Sequence, residues 1–323
     1  VGRTDFDRRL HEHVRAERGE FRDEFRRLVG GPRHEHALAE QRAGAMASPP
    51  PEIPATMQAW AAEAYGGPDV LSLRRVPLAP PAPRELLIKV QATTVSSADR
   101  RVRAMAFPSG MRLLGRAFFG LRRPRRPVLG VEAAGVVLAV GNKVERFRPG
   151  DQVIAFTGAR MGAHAEYLRI AEQGLVVPRP RDMSIATAAS LGFGGLTACD
   201  FLRRAALRKG DRMLVIGATG TVGSALVQLG AVLSAHVAAV CSAGNVALAM
   251  ALGARDVIAY DETGMDVGGE RFDVVADAVG ALDFDRSLEL LVDGGRYLAI
   301  DGALGDMLAG SRKGRRCIAG PAA

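Results

Sequence analysis

The chain has 323 residues, 48% of them hydrophobic, which is enough to bury two cores of roughly 150 residues each and excludes an intrinsically disordered chain. Its formal net charge of +8 arises from 43 basic and 35 acidic residues, a mixed surface rather than a polycationic tract, and it suits a phosphorylated ligand as well as a polyanion. The three cysteines, Cys199, Cys241 and Cys317, are too far apart for a disulfide framework or paired zinc ligands, so the expected compartment is reducing and cytoplasmic.

In chain order, residues 1 to 44 alternate charges around a few spaced apolar residues, the pattern of a solvated helix. Gly30, Gly31 and Pro32 mark its end, and a linker with Pro49, Pro50, Pro51 and Pro54 follows. Residues 1–56 are therefore read as a charged extension and Pro-rich linker, outside the functional argument. Two His-Glu-His triplets, at residues 11–13 and 34–36, invite a metal reading. Neither has a cysteine nearby, and i, i+2 spacing does not put two ligands on one helix face. The N-terminus lacks the apolar segment of a signal peptide.

Residues 57–180 carry short β-like runs at Leu86 to Val90, Val136 to Val140, Gln152 to Phe156 and Tyr167 to Ile170, separated by Gly- and Pro-containing turns. A compact β-rich domain is expected there. Residues 181–323 instead alternate apolar strands with helical stretches, which predicts a doubly wound α/β domain on a parallel sheet. The most apolar stretch, Ala225 to Cys241, is interrupted by Gln228, Ser234 and His236, so it is read as a buried helix and strand and not as a membrane span.

The strand Met213 to Ile216 runs into Gly217-Ala218-Thr219-Gly220-Thr221-Val222-Gly223 and then into a helix with Leu226, Val227, Leu229 and Val232 inward. One glycine allows the tight turn, one lets the backbone approach a pyrophosphate, and one lets the helix pack closely on the sheet. The phosphates meet free N–H groups at the positive end of the helix. Further strands at His236 to Cys241, Val257 to Tyr260, Phe272 to Asp277 and Arg296 to Ile300 supply the context that a glycine pattern alone lacks. An acid about 20 residues on would bind an NAD ribose. Here the segment reads Val240-Cys241-Ser242-Ala243-Gly244-Asn245, without a carboxylate. NADP(H) is therefore the first choice, with Ser242 and Asn245 as donors to a 2′-phosphate, and NAD(H) the second. The same two residues would serve equally well as helix caps.

A β-rich domain followed by a mid-chain GATGTVG turn resembles the medium-chain dehydrogenase/reductase superfamily. The resemblance is carried by Tyr65-Gly66-Gly67-Pro68-Asp69-Val70-Leu71, Leu87-Ile88-Lys89-Val90, Leu129 to Gly135, Phe147 to Asp151, Ala165-Glu166-Tyr167 and Phe193 to Ala198. It is most similar to the zinc-free, quinone oxidoreductase-like branch, which implies a GroES-like β-rich domain plus a Rossmann domain. Zinc-dependent members carry a Gly-His-Glu segment and a cysteine in the earlier loop. Here Val131 stands at the histidine and Ser96 at the cysteine, so no metal is expected. Glu132 is retained, and is read as a buried acid bonding within the barrel.

The resemblance implies hydride delivery from NADPH to an enone, an activated alkene or a quinone, a small-molecule carbonyl partner. It also implies that the loop Val95 to Asp99 lines the acceptor side, with Ser96 as donor to a developing oxyanion and Asp99 either functional or a structural cap or ion-pair partner of Arg100 or Arg103. Thr197 is similar to a residue on the nicotinamide side in relatives. Tyr260 and Asp277, read as strand ends, and Gly302 are assigned to the carboxyl edge where the cofactor binds. The Tyr-x-x-x-Lys pair of short-chain reductases is missing after Tyr65, Tyr167, Tyr260 and Tyr297. The arginine run from Arg112 to Arg126 is read as a solvated rim and not a nucleic-acid surface. A homodimer is the assembly that relatives suggest. Relatives continue past the strand resembled by Arg315 to Ala319, so an incomplete C-terminus is expected, with a non-catalytic NADPH-binding protein as the alternative function.

Overall fold

The computed structural model describes residues 52–108 and 110–320. The charged extension and both His-Glu-His triplets lie outside the described residues. The chain divides into two compact units, one comprising residues 52–106 and 115–193 and the other residues 107–114 and 194–320 of the described chain.

In the first unit, β1 (Thr56–Ala62) and β2 (Leu71–Pro77) form an antiparallel hairpin. A five-stranded antiparallel sheet follows, from β3 (Glu85–Thr93), β4 (Glu132–Val140), β5 (Gln152–Phe156), β6 (Tyr167–Ala171) and β7 (Leu175–Pro178), in the order β6-β3-β4-β5-β7. Leu86, Ile88, Val137, Phe147, Val153 and Val176 are buried together as its core. Period two places them there, because alternate residues of a strand share a face. β4 starts four residues earlier than hydrophobic patterning indicates. Its first residues, Glu132 to Gly135, are an acid and small residues with little apolar signal, yet they pair with Val153 to Phe156 of β5.

Gly135 explains part of that pairing. A Cβ there would lie 2.1 Å from the carbonyl oxygen of Lys89 on β3, so only glycine allows the strands to close at this register.

The second unit contains a seven-stranded sheet in the order β10-β9-β8-β11-β12-β14-β13. Its strands are β8 (Arg212–Ile216), β9 (His236–Cys241), β10 (Asp256–Ala259), β11 (Phe272–Asp277), β12 (Leu291–Ala299), β13 (Ser311–Arg312) and β14 (Arg315–Ala319). All neighbours are parallel except the short β13, which is antiparallel to β14. Taken by chain position, the six parallel strands lie three-two-one-four-five-six, which is the doubly wound arrangement, with β8 and β11 flanking the switch point. Met213, Leu214 and Val215, like Val274, Val275 and Ala276, are fully buried, as strands covered on both faces must be.

Two expectations are refined. The apolar stretch beginning at Ala225 divides into the helix Thr221–Val232 and β9, and no helix among the described residues is long and apolar enough to cross a membrane. Tyr260 does not end a strand: β10 stops at Ala259, opposite Cys241 at the end of β9, and Tyr260–Thr263 forms a helical turn. Beyond Cys241 the neighbouring strand offers no further ladder, and Asp261 and Glu262 favour the start of a helical turn.

Replacing Gly135 with Ala is expected to destabilise the chain by about 2–3 kcal/mol through forced strand separation. Urea unfolding should show it as a lower midpoint with an unchanged slope.

Candidate functional site

At the switch point, β8 ends at Ile216 and the chain turns through Gly217 with φ of +76°, a left-handed conformation that favours glycine. The N–H groups of Gly217 and Ala218 both donate to the carbonyl of Val240 at 3.1 Å, which fastens the turn to β9. Gly220 then caps the helix Thr221–Val232, and a Cβ at Gly223 would lie 2.0 Å from the carbonyl oxygen of Gly217. The first helical turn is thus drawn onto the preceding strand. The N–H groups of Thr221, Val222 and Gly223 precede any intrahelical acceptor and are available to an anion. Of the predicted residues, Thr219, Gly220 and Thr221 are at least partly exposed, whereas Ala218 and Val222 are buried beneath them. Gly217, Gly220 and Gly223 leave a cradle without side chains, which fits a pyrophosphate.

The helix Leu191–Ala205 also reaches this turn. A Cβ at Gly194 would lie 2.4 Å from the carbonyl oxygen of Thr221. Thr197 is three residues on and shares that helix face.

Farther along the carboxyl edge, the predicted residues take different positions. Asp277, at the end of β11, is fully buried. One of its oxygens accepts N–H bonds from Val279 at 3.0 Å and Gly280 at 2.8 Å; the other accepts from Leu282 at 2.8 Å and from the Tyr297 hydroxyl at 3.3 Å. Burial pushes this carboxyl above the usual range, and the N–H donors act against that shift. Its geometry is that of a loop organiser. Gly302 is buried in the turn after β12, close to Ala299 and Asp306. Tyr260 is 55% exposed.

Ser242 and Asn245 bond to each other, Asn245 Nδ2 donating to Ser242 Oγ at 2.9 Å, and neither makes a side-chain cap. The sequence window shows no carboxylate here, but the structure supplies one. Asp261 Oδ1 accepts the N–H of Ala243 at 2.8 Å. It arrives from the end of β10, the neighbouring strand, which a search along β9 does not reach. The register Ala259 opposite Cys241 is the signal that would have found it.

In the first unit, Ser96 is the N-cap of the helix Ser97–Ala104 and forms a capping box with Asp99. Ser96 Oγ donates to Asp99 Oδ2 at 2.7 Å, the Ser96 N–H donates to the same oxygen at 2.8 Å, and Asp99 Oδ1 accepts the N–H of Gly130 at 2.8 Å. Both residues are buried. The structure gives Asp99 the capping role, and the nearest cation-forming group it records is His164, whose Nε2 is 4.0 Å away and donates to the Thr94 carbonyl.

Glu132 adjoins this group. Its carboxylate accepts the Thr94 hydroxyl and the N–H of Phe193 at 2.6 Å, and its carbonyl accepts the Thr93 hydroxyl at 2.7 Å. Burial is the largest influence on Glu132 and raises its carboxyl above the usual range.

In the basic segment, Arg116 donates to the Leu121 carbonyl at 2.7 Å and Arg126 to that of Arg160 at 3.1 Å, while Arg122, Arg123 and Arg125 are exposed. Part of this charge therefore shapes its own loop.

Comparison with known proteins adds a separate line of evidence. Residues 82–181 match the family described as alcohol dehydrogenase GroES-like domain, and residues 252–319 match zinc-binding dehydrogenase. A 2-methylene-furan-3-one reductase of Solanum lycopersicum is 32% identical over 278 residues, covering 83% of this chain and 68% of the relative. An NADPH-dependent alkenal/one oxidoreductase of Arabidopsis thaliana is 31% identical, covering 78% of this chain and 64% of the relative. The chain thus spans about two thirds of the length of these relatives. Among solved structures, a quinone oxidoreductase from Coxiella burnetii aligns with a TM-score of 0.66 at 27% identity, covering 76% of this chain and 75% of that one.

Two outcomes follow from this geometry. Gly223→Ala should weaken dinucleotide binding at least about tenfold, or ~1.4 kcal/mol, in a direct titration. Glu132→Ala should cost about 1–3 kcal/mol by removing the acceptor of the Phe193 N–H and the Thr94 hydroxyl, whereas Glu132→Gln keeps an acceptor there. Because the Glu132 pKa is raised on folding, its contribution is present below the ordinary carboxylate range and declines as pH rises through the raised value. Denaturation across that range should therefore show Glu132→Gln gaining stability relative to the parent as pH rises.

Proposed function

The chain belongs to the quinone oxidoreductase-like branch of the medium-chain dehydrogenase/reductase superfamily of NAD(P)-dependent oxidoreductases, and on that premise we propose that it reduces an enone, an activated alkene or a quinone by hydride transfer. The observation that carries this reading is the cradle from Gly217 to Gly223, where a Cβ at Gly223 would collide with the Gly217 carbonyl. Such a turn at the switch point of a doubly wound sheet holds a dinucleotide pyrophosphate. The names of the tomato, Arabidopsis and Coxiella relatives, which specify furanone, alkenal/one and quinone acceptors, support the acceptor class.

When bound, the nicotinamide dinucleotide supplies the hydride. Gly217, Gly220, Gly223 and the first-turn N–H groups hold the diphosphate, and Thr197 lies on the helix face that Gly194 presses toward Thr221. The chain's remaining task is to position the reactants and exclude water. Ser96 and Asp99, bonded to each other and to the N–H of Gly130, keep the loop before the helix Ser97–Ala104 in one conformation. We assign them a positioning role.

A catalytic zinc does not fit the residues at the place where related enzymes hold one. The Val131 side chain is buried and offers no lone pair, and the neutral Ser96 hydroxyl already donates to Asp99. No step through a metal is derived. For the dinucleotide, the segment after β9 carries no acid of its own, which is the sequence feature that suggests NADPH, and the Arabidopsis relative is NADPH-dependent by name. Asp261, brought against that same segment, weighs the other way.

Turnover of reduced nicotinamide, followed by loss of its absorbance, is expected with at least one member of a quinone and enone panel. Binding of dinucleotide without turnover of any acceptor would reject the reductase reading in favour of a non-catalytic binding protein. Elemental analysis is expected to find no stoichiometric zinc, and one tightly held zinc per chain would overturn the metal-free reading.

A further inference from the structure

We propose that Asp261 sets cofactor choice in this chain and selects NADH over NADPH. The proposal rests on the dinucleotide site described above and specifies which dinucleotide that site takes. In a doubly wound sheet the segment leaving the second strand faces the adenosine ribose. That strand is β9 here, and the segment is Ser242 to Asn245.

Three observations at this segment point the same way. First, β9 and β10 run parallel with Ala259 opposite Cys241, so Ser242 and Ala243 leave the sheet beside Tyr260 and Asp261. Asp261 Oδ1 takes the Ala243 N–H at 2.8 Å, a donor that a 2′-phosphate would otherwise use. The same charge is one of two causes, after burial, that raise the Cys241 thiol above its usual range.

Second, the two chain segments that meet here bring no compensating cation of their own. From Ser242 to Thr263 the only basic residue is Arg255. It precedes β10, with its N–H on the Val237 carbonyl at 2.8 Å and its guanidinium 2.8 Å from Nδ1 of His236, the first residue of β9. Arg255 therefore lies at the amino edge of these strands, the opposite end from Asp261. Glu262 adds a second exposed carboxylate at the carboxyl edge.

Third, the neutral donors are partly engaged. Asn245 Nδ2 already donates to Ser242 Oγ at 2.9 Å.

A phosphomonoester brings close to two negative charges at neutral pH and is usually met by arginine or lysine. Here it would meet Asp261 instead, with Glu262 next to it in the chain. A ribose 2′-hydroxyl is neutral and can donate to a carboxylate. The segment therefore accepts the diol and opposes the phosphate. Because Asp261 is exposed, salt screens the repulsion, so the discrimination is greatest at low ionic strength.

The test is titration of the full chain with NADH and with NADPH, read by nicotinamide fluorescence at low and high salt. NADH is expected to bind about tenfold more tightly at low salt, with the ratio shrinking as salt rises. Asp261→Asn keeps an acceptor for the Ala243 N–H and should lower the ratio by weakening NADH less than it strengthens NADPH. Asp261→Arg should bring NADPH to equal or tighter binding than NADH. Circular dichroism of both variants checks that the fold is retained. NADPH binding as tightly as NADH to the parent chain, or an unchanged ratio in folded Asp261→Arg, overturns the proposal while leaving the dinucleotide site intact. Failure of both dinucleotides to bind the parent chain overturns the site itself, and the proposal with it.

Discussion

The approach of the helix Thr221–Val232 to the turn at Gly217 is the constraint on which the α/β unit's chemistry depends. At Gly223 the two backbones are so close that a single carbon would lie 2.0 Å from a carbonyl oxygen. That proximity fixes where the helix begins and aims its unsatisfied N–H groups over the end of β8. Gly194 repeats the device, bringing the helix Leu191–Ala205 against Thr221. Three segments far apart in sequence or direction therefore meet through glycine backbone, because any side chain at these contacts would push them apart.

Buried carboxylates do the corresponding work in the loops. Asp99 binds the N–H groups of Ser96 and Gly130, Glu132 that of Phe193, and Asp277 those of Val279, Gly280 and Leu282. Glu172 and Asp306 likewise accept pairs of loop N–H groups, from Glu145 and Arg146 and from Phe284 and Ala303. A loop next to a core has N–H groups that no ladder satisfies, and leaving them buried without partners is costly. An ionised carboxylate satisfies two or three together. The cost appears in Glu132 and Asp277 as burial that raises their pKa despite the donors around them.

This distinction separates residues that bind a ligand from residues that hold the binding surface in shape. Asp99 and Asp277 lie where a ligand-binding role is plausible on sequence grounds, yet their oxygens are directed to their own backbone. Asp261 is the contrasting case, an exposed acid with one oxygen on a loop N–H. Its influence is electrostatic and extends to whatever occupies the adjacent segment.

The glycine turn and the alternation of strand and helix were legible in the sequence because each depends on neighbours within a few residues. The early start of β4 was not, since small residues carry no periodic signal and only cross-strand pairing places them. The roles of Asp99 and Asp277 and the arrival of Asp261 beside Ala243 also required the tertiary structure. A carboxylate's function depends on which donors face it, and for Asp261 that is set by the register of two parallel strands. Sequence alone determined what kind of cofactor the turn can cradle; the packing of β10 beside β9 decided the charge that stands beside the segment leaving β9.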